Sequence, residues 1–148
     1  MASKIFKFPT TGIEIKVRKV SQQVMSDVAS SLPAPRPPMQ EVELDGVKRL
    51  EPNPAHPDYL AALQAHQMEL LQLTNRLLVQ LGVDYRLTPE DESELETVLS
   101  VMRENGVTPT GKTKLEQWVY YVAVVKAEDL SALVEEVLSL GQPTPKSD

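Results

Sequence analysis

The placement of proline constrains this chain more than any other feature. Seven of its twelve prolines fall between Pro33 and Pro57. Each ring fixes φ and removes a backbone donor, so neither a regular helix nor a central strand passes through such a stretch. The segment LPAPRPP at residues 32–38 is expected to be extended polyproline II. It reads either as a stiff spacer or, through its P-x-x-P spacing, as a ligand for an aromatic-lined groove. The chain is therefore expected to comprise a β-rich region with a proline-rich segment over 1–52, a helical region over 53–141 and a disordered tail over 142–148.

Upstream of the prolines, KIFKF, PTTG and IEIKVR predict a β-hairpin. Ile13, Ile15 and Val17 alternate with polar residues, and Pro9 and Gly12 mark the turn. Val20, Val24 and Val28 recur every fourth residue, the spacing of one helical face, with Ser21 placed to cap it. Past the prolines, Asp45-Gly46 between QEVEL and VKRLE has the residue types that accept the positive φ of a type I′ hairpin turn. EPNPAHP then reads as a rigid loop.

Helices are expected from there on. The longest runs over about residues 57–81, with Pro57 in its first turn and Gly82 as its stop. Thr88-Pro89-Glu90-Asp91 opens the next, with Thr88 as cap and acids in the first turn. Its stripe is Leu95, Val98, Leu99 and Met102, and Asn105-Gly106 ends it. A third helix from about Lys112 contains WVYYVAVV, which is apolar on every face, so periodicity does not separate buried helix from buried strand; the flanks favour helix. AEDLSALVEEVLSLG forms the last, with Leu130, Leu133, Val134, Val137 and Leu138 on one side. The resulting fold class is α+β: N-terminal β-hairpins with a short helix and a proline-rich linker, followed by a C-terminal bundle of three to four helices.

Composition narrows the function classes. Cysteine is absent, which removes disulfides, zinc–thiolate sites and cysteine nucleophiles and suits a reducing, cytoplasmic setting. The formal charge is −6, whereas nucleic-acid binding needs a cationic face. Lys4, Lys7, Lys16, Arg18 and Lys19 are interleaved with apolar residues, as on the wet face of a strand pair, so no nucleic-acid partner is expected. No apolar run reaches the length of a membrane span or of a signal peptide. With aromatics at 5% and apolar residues at 41%, the core must be aliphatic.

Three patterns resemble chemical sites. Gly106-Val-Thr-Pro-Thr-Gly111-Lys112-Thr113 fits G-x-x-x-x-G-K-[ST], the loop that cradles phosphates. Here, however, an acid-rich helix precedes it in place of a buried strand, and Pro109 removes a donor, so a helix–turn–helix connection with Gly106 closing one helix and Thr110 capping the next is expected. His56 and His66 stand ten residues apart, unlike helical metal ligands, and His66 reads as a surface partner of Glu69. The acids from Glu90 to Glu96 suit a solvated helix start. No catalytic residue, cofactor or metal site is expected.

Binding is better supported. Leu60, Leu63, Gln67, Leu70, Thr74, Leu77 and Leu81 form a heptad-like seam on the long helix, widened by Leu71 and Leu78. Leu63, Gln67, Leu70, Thr74 and Leu77 are the candidate protein-binding residues, serving either the chain's own core or a partner. Trp118, Tyr120 and Tyr121 are read as core residues, with an interface role open to them.

The order of these features resembles the tail assembly chaperones and neighbouring small tail proteins of long-tailed bacteriophages. The likeness spans about residues 4–83: FKFPTTGIEIKVRKVS, a helix, LPAPRPPMQEVEL, and then NPAHPDYLAALQAHQMEL, whose Asn53–Leu63 stretch is the most distinctive. It implies a non-enzymatic cytoplasmic protein that binds the tape measure protein, a long apolar helical client, during tail morphogenesis. A structural accessory protein of the tail or head–tail junction is the alternative. Self-association is left open.

Overall fold

The computed structural model describes residues 3–142. The tail expected over 142–148 therefore lies, from residue 143 on, outside the described residues. The chain is α+β, with strands at its N-terminal end and helices dominating the remainder. In chain order the elements begin with β1 (Ser3–Lys7), β2 (Glu14–Arg18), α1 (Gln22–Ser31), β3 (Met39–Leu44) and β4 (Val47–Pro52). They continue with α2 (Pro57–Gly82), β5 (Val83–Asp84), α3 (Pro89–Glu104), α4 (Lys114–Trp118), a π-helical segment (Val119–Ala123) and α5 (Ala127–Gly141). They group into two compact units, one made of residues 1–24 and 75–148 and the other of residues 25–74.

The first unit is built on a three-stranded antiparallel sheet of order β1-β2-β5, with Phe6 opposite Ile15 and Val17 opposite Val83. Alternation puts Phe6, Ile15, Val17 and Val83 on the buried face and leaves Ile5, Lys16 and Asp84 exposed on the other. The loop between β1 and β2 is closed by bonds from Phe8 N to Ile13 O and from Gly12 N to Phe8 O, with Gly12 at φ 73. That loop turns Phe8 inward, fully buried, edge-on to Phe6 with centroids 5.0 Å apart. Leu78 and Val79 of α2, Leu95 and Leu99 of α3, and Leu133 and Val137 of α5 supply the aliphatic core. The core is not aliphatic alone, as composition suggested: Phe6, Phe8 and Trp118 are buried in it, and Trp118 stacks on Tyr85 at 4.8 Å.

Local chemistry sets the helix ends. At α3, Thr88 Oγ1 accepts from Asp91 N and Asp91 Oδ2 accepts from Thr88 N, a reciprocal capping box, with Pro89 at the first helical position. α3 ends where Gly106 adopts φ 72, and Val107 N and Gly106 N donate to Met102 O and Arg103 O, the paired bonds of a Schellman motif. Gly82, the last residue of α2, serves packing. A Cβ there would lie 2.7 Å from Val137 Cγ1, so the absent side chain lets α5 approach. Thr113 caps α4, not Thr110, because Thr113 Oγ1 accepts from Glu116 N. The WVYYVAVV run is helical only to Ala123; Val124 N closes a wide turn onto Val119 O, and Val124 itself is extended.

In the second unit β3 and β4 form a two-stranded antiparallel sheet, with Leu44 opposite Val47 and Met39 opposite Pro52. Asp45 at φ 52 and Gly46 at φ 78 make the two-residue turn. Asn53 N donates to Pro38 O and carries the ladder one step past the strands. His66 does not pair with Glu69: its Nε2 lies 2.9 Å from Leu32 O, which ties α2 to the end of the α1 segment.

Candidate functional site

The phosphate-loop pattern is the first place to look for chemistry, and its geometry is inverted. Helix α3 leads into it, so no strand delivers the loop. Lys112 N donates 2.8 Å to Glu116 Oε1, and Thr110 N donates 2.6 Å to Tyr121 Oη. Glu116 is buried, and it also accepts from Gln80 Nε2 at 3.0 Å and Arg76 Nε at 3.2 Å. An internal carboxylate thus sits on the backbone N–H that an anion would use, while the Lys112 side chain is exposed. Tyr120, half-buried nearby, has its ionisation pushed up by burial and by the Glu116 charge.

The acid-rich start of α3 is equally committed. Tyr85 Oη donates 2.6 Å to Asp91 Oδ2. That bond, with burial and the Asp91 charge, pushes the Tyr85 hydroxyl up to about 12. For Asp91, burial opposes ionisation, but the bonds from Tyr85 and Thr88 prevail and hold its carboxyl below the usual range. Because Tyr85 also stacks on Trp118, the pair fastens the first turn of α3 to the core. Asp129 works similarly at α5. It is inaccessible, and burial raises its pKa, but the N–H groups of Lys126, Thr10 and Val125 overcome this and bring it to about 2. Among the described residues no cluster of three His, Asp or Glu has metal-binding geometry.

The long helix offers a surface of another kind. Leu63, His66, Leu70 and Leu73, at i, i+3, i+7 and i+10, share one half-buried face, the face that the His66–Leu32 contact turns inward. Leu60, Gln64, Gln67 and Leu71, at i, i+4, i+7 and i+11, form an open line with Met68 beside it. Leu60, Met68 and Leu71 are 51%, 52% and 53% exposed. Of the five sequence candidates, Leu63, Leu70, Thr74 and Leu77 are half-buried, and Gln67 alone stands on the open line. Leu60 and Leu71 belonged to the sequence seam. Gln64 and Met68 were missed; their signal is the spacing of four residues from Leu60 to Gln64 and from Gln64 to Met68, and of three from Met68 to Leu71. This line carries no charged side chain, in a chain of formal charge −6. Trp118 is fully buried, and Tyr120 and Tyr121 are half-buried.

Comparison with known proteins adds no relative: no protein-family model, no curated protein and no solved structure matches this chain. No helix among the described residues is long and apolar enough to cross a membrane.

Proposed function

We propose that this chain is a non-enzymatic tail assembly chaperone of a long-tailed bacteriophage, holding an apolar helical client such as the tape measure protein. The observation that carries this reading is the open, uncharged line of Leu60, Gln64, Gln67, Met68 and Leu71 on α2. Such a stripe suits side-by-side docking of an amphipathic client helix, with the exposed Leu60, Met68 and Leu71 as its apolar contacts. Lone glutamines among the apolar residues favour an exchangeable contact over a permanent one. The net negative charge helps keep a complex with a greasy client in solution. The likeness of Asn53–Leu63 to the phage proteins supports the client's identity.

The test is co-expression with a tape measure segment, followed by pull-down and light scattering. Burial of one Leu or Met contributes about 1.5–3 kcal/mol, and 1.4 kcal/mol is roughly tenfold in affinity. Leu71→Asp and Met68→Asp are each expected to weaken client retention by about tenfold or more, with unchanged circular dichroism. Client held as well by the double variant as by the wild type would refute the reading. Stoichiometric amounts of this protein in purified mature particles would favour a structural tail component instead.

A further inference from the structure

The β3–β4 sheet has two strands and therefore two free edges, and the two edges differ in charge. β3 carries Glu41 and Glu43 and no base, whereas β4 carries Lys48 and Arg49 ahead of Glu51. The bond from Asn53 N to Pro38 O fixes which rungs are hydrogen-bonded within the hairpin: residues 38 and 53, then 40 and 51, 42 and 49, 44 and 47. Met39, Glu41 and Glu43 on one edge, and Lys48 and Leu50 on the other, consequently aim their backbone N–H and C=O groups away from the hairpin. Pro52, lacking an N–H, ends the usable part of the β4 edge. Within its unit the sheet packs extensively on no helix, and Met39 and Leu50 are 57% and 68% exposed.

We infer that the β4 edge of one molecule pairs antiparallel with the β3 edge of a second copy of this chain, so that the protein assembles head to tail. One register satisfies both edges at once. Lys48 faces Glu41 of the neighbouring copy, Leu50 faces Met39, and Val47 faces Val42. The two rungs that need hydrogen bonds, 48 with 41 and 50 with 39, then fall on residues whose backbone groups already point outward. Pairing of like edges is weaker: β3 against β3 brings Glu41 and Glu43 together with no base between them, and β4 against β4, centred on Leu50, can set Arg49 opposite Glu51 but places the donorless Pro52 on a rung that needs hydrogen bonds. Because the two mating edges are different, each added copy presents a fresh edge, and association proceeds past the dimer to a ring or an open array. This inference does not depend on the identity of any client.

Sedimentation velocity on the full chain over a range of concentrations tests it. The wild type is expected to form species larger than a dimer, weakened by added salt. Lys48→Glu and Glu41→Lys are each expected to sediment as monomers alone, since each leaves acid facing acid or base facing base at the new junction. Mixed in equal amounts, they are expected to re-form the large species, because each variant then presents the charge that the other's edge needs. The ion pair within the hairpin, Lys48 Nζ to Glu41 Oε1 at 3.6 Å, is exposed on both sides, so its loss costs the fold little. Carrying both changes on one chain restores that pair and is expected to restore assembly. Leu50→Pro breaks no hydrogen bond of the hairpin but removes an outward donor and the side chain that faces Met39, and is expected to block assembly while leaving the hairpin closed. Three results would overturn the inference: a wild type that stays monomeric or stops at a dimer at every concentration, single variants that assemble like the wild type, or a mixture that stays monomeric.

Discussion

A carboxylate taken out of water must find donors for its lone pairs, and at Glu116 three come from two parts of the chain: Arg76 and Gln80, one turn apart on α2, and the Lys112 backbone. The loop Gly106–Thr113 is shaped around that group. Removing one partner of a buried charged network costs about 3–5 kcal/mol. Because Arg76 retains some water access, Glu116→Ala is expected near the lower end, about 3 kcal/mol by urea denaturation. Lys112→Ala is expected within about 0.5 kcal/mol of the wild type, since only its main-chain N–H is used and its side chain is exposed. A large loss at Lys112 with none at Glu116 would contradict the assignment of this loop to the Glu116 network. Asp129 gives a pH signature. Its folded pKa, about 2, lies below the unfolded value of 3.8, so its stabilisation is fully present above about pH 4 and disappears as pH falls toward 2. Asp91, also lowered, acts in the same direction. Asp129→Asn is expected to flatten the acid limb of the urea midpoint against pH; an unchanged limb would contradict the assignment.

At the scale of elements, the contact between α2 and α5 turns on Gly82. An added methyl would strike both γ-carbons of Val137, at 2.7 and 2.9 Å. Gly82→Ala is expected to destabilise by about 1–3 kcal/mol through overpacking. Val137→Ala introduced on the same chain should recover part of that loss, a coupling that a double-mutant cycle measures. The sequence marked Gly82 as a stop but contained no hint of Val137, since a glycine's neighbour across the core leaves no local trace. Local signals were legible: the Thr88 cap, the Gly106 reversal and the Asp45-Gly46 turn all rest on a residue's own backbone preferences. Signals that tertiary contacts decide were not. Thr110 and Thr113 are both cap-type residues, and the Glu116 network settles the choice between them. β5 has two residues, too few for any alternation, and exists only through its pairing with β2. On α2 the heptad-like seam does not form one face: Leu63, Leu70, Thr74 and Leu77 are half-buried while Leu60, Gln67, Leu71 and Leu81 are exposed, and the Leu32 carbonyl that holds His66 marks the inward side.

Across the whole molecule, apolar burial is unevenly shared. Of the sixteen buried apolar residues among those described, Val28 alone belongs to residues 25–74; the rest belong to the unit made of residues 1–24 and 75–148. At about 1.5–3 kcal/mol for each such side chain, the first unit carries nearly all of the hydrophobic stabilisation. A hairpin of two strands without a packed face is marginal in water. Local opening should therefore cost far less in β3 and β4 than in β2 or α5. In hydrogen exchange on dilute protein, amides of β3 and β4 are expected to be about a hundredfold less protected than those of β2 and α5, and equal protection would contradict this uneven distribution. Raising the protein concentration adds a sharper requirement. If copies join through the hairpin edges, the Glu41, Lys48 and Leu50 amides, which have no partner within the hairpin, must gain protection as copies associate. Core amides such as Val17 and Leu133 should not change. A uniform gain across the chain would point to a different contact, and no gain at those outward amides while large species form would place the interface elsewhere, with the apolar line of α2 the next candidate surface.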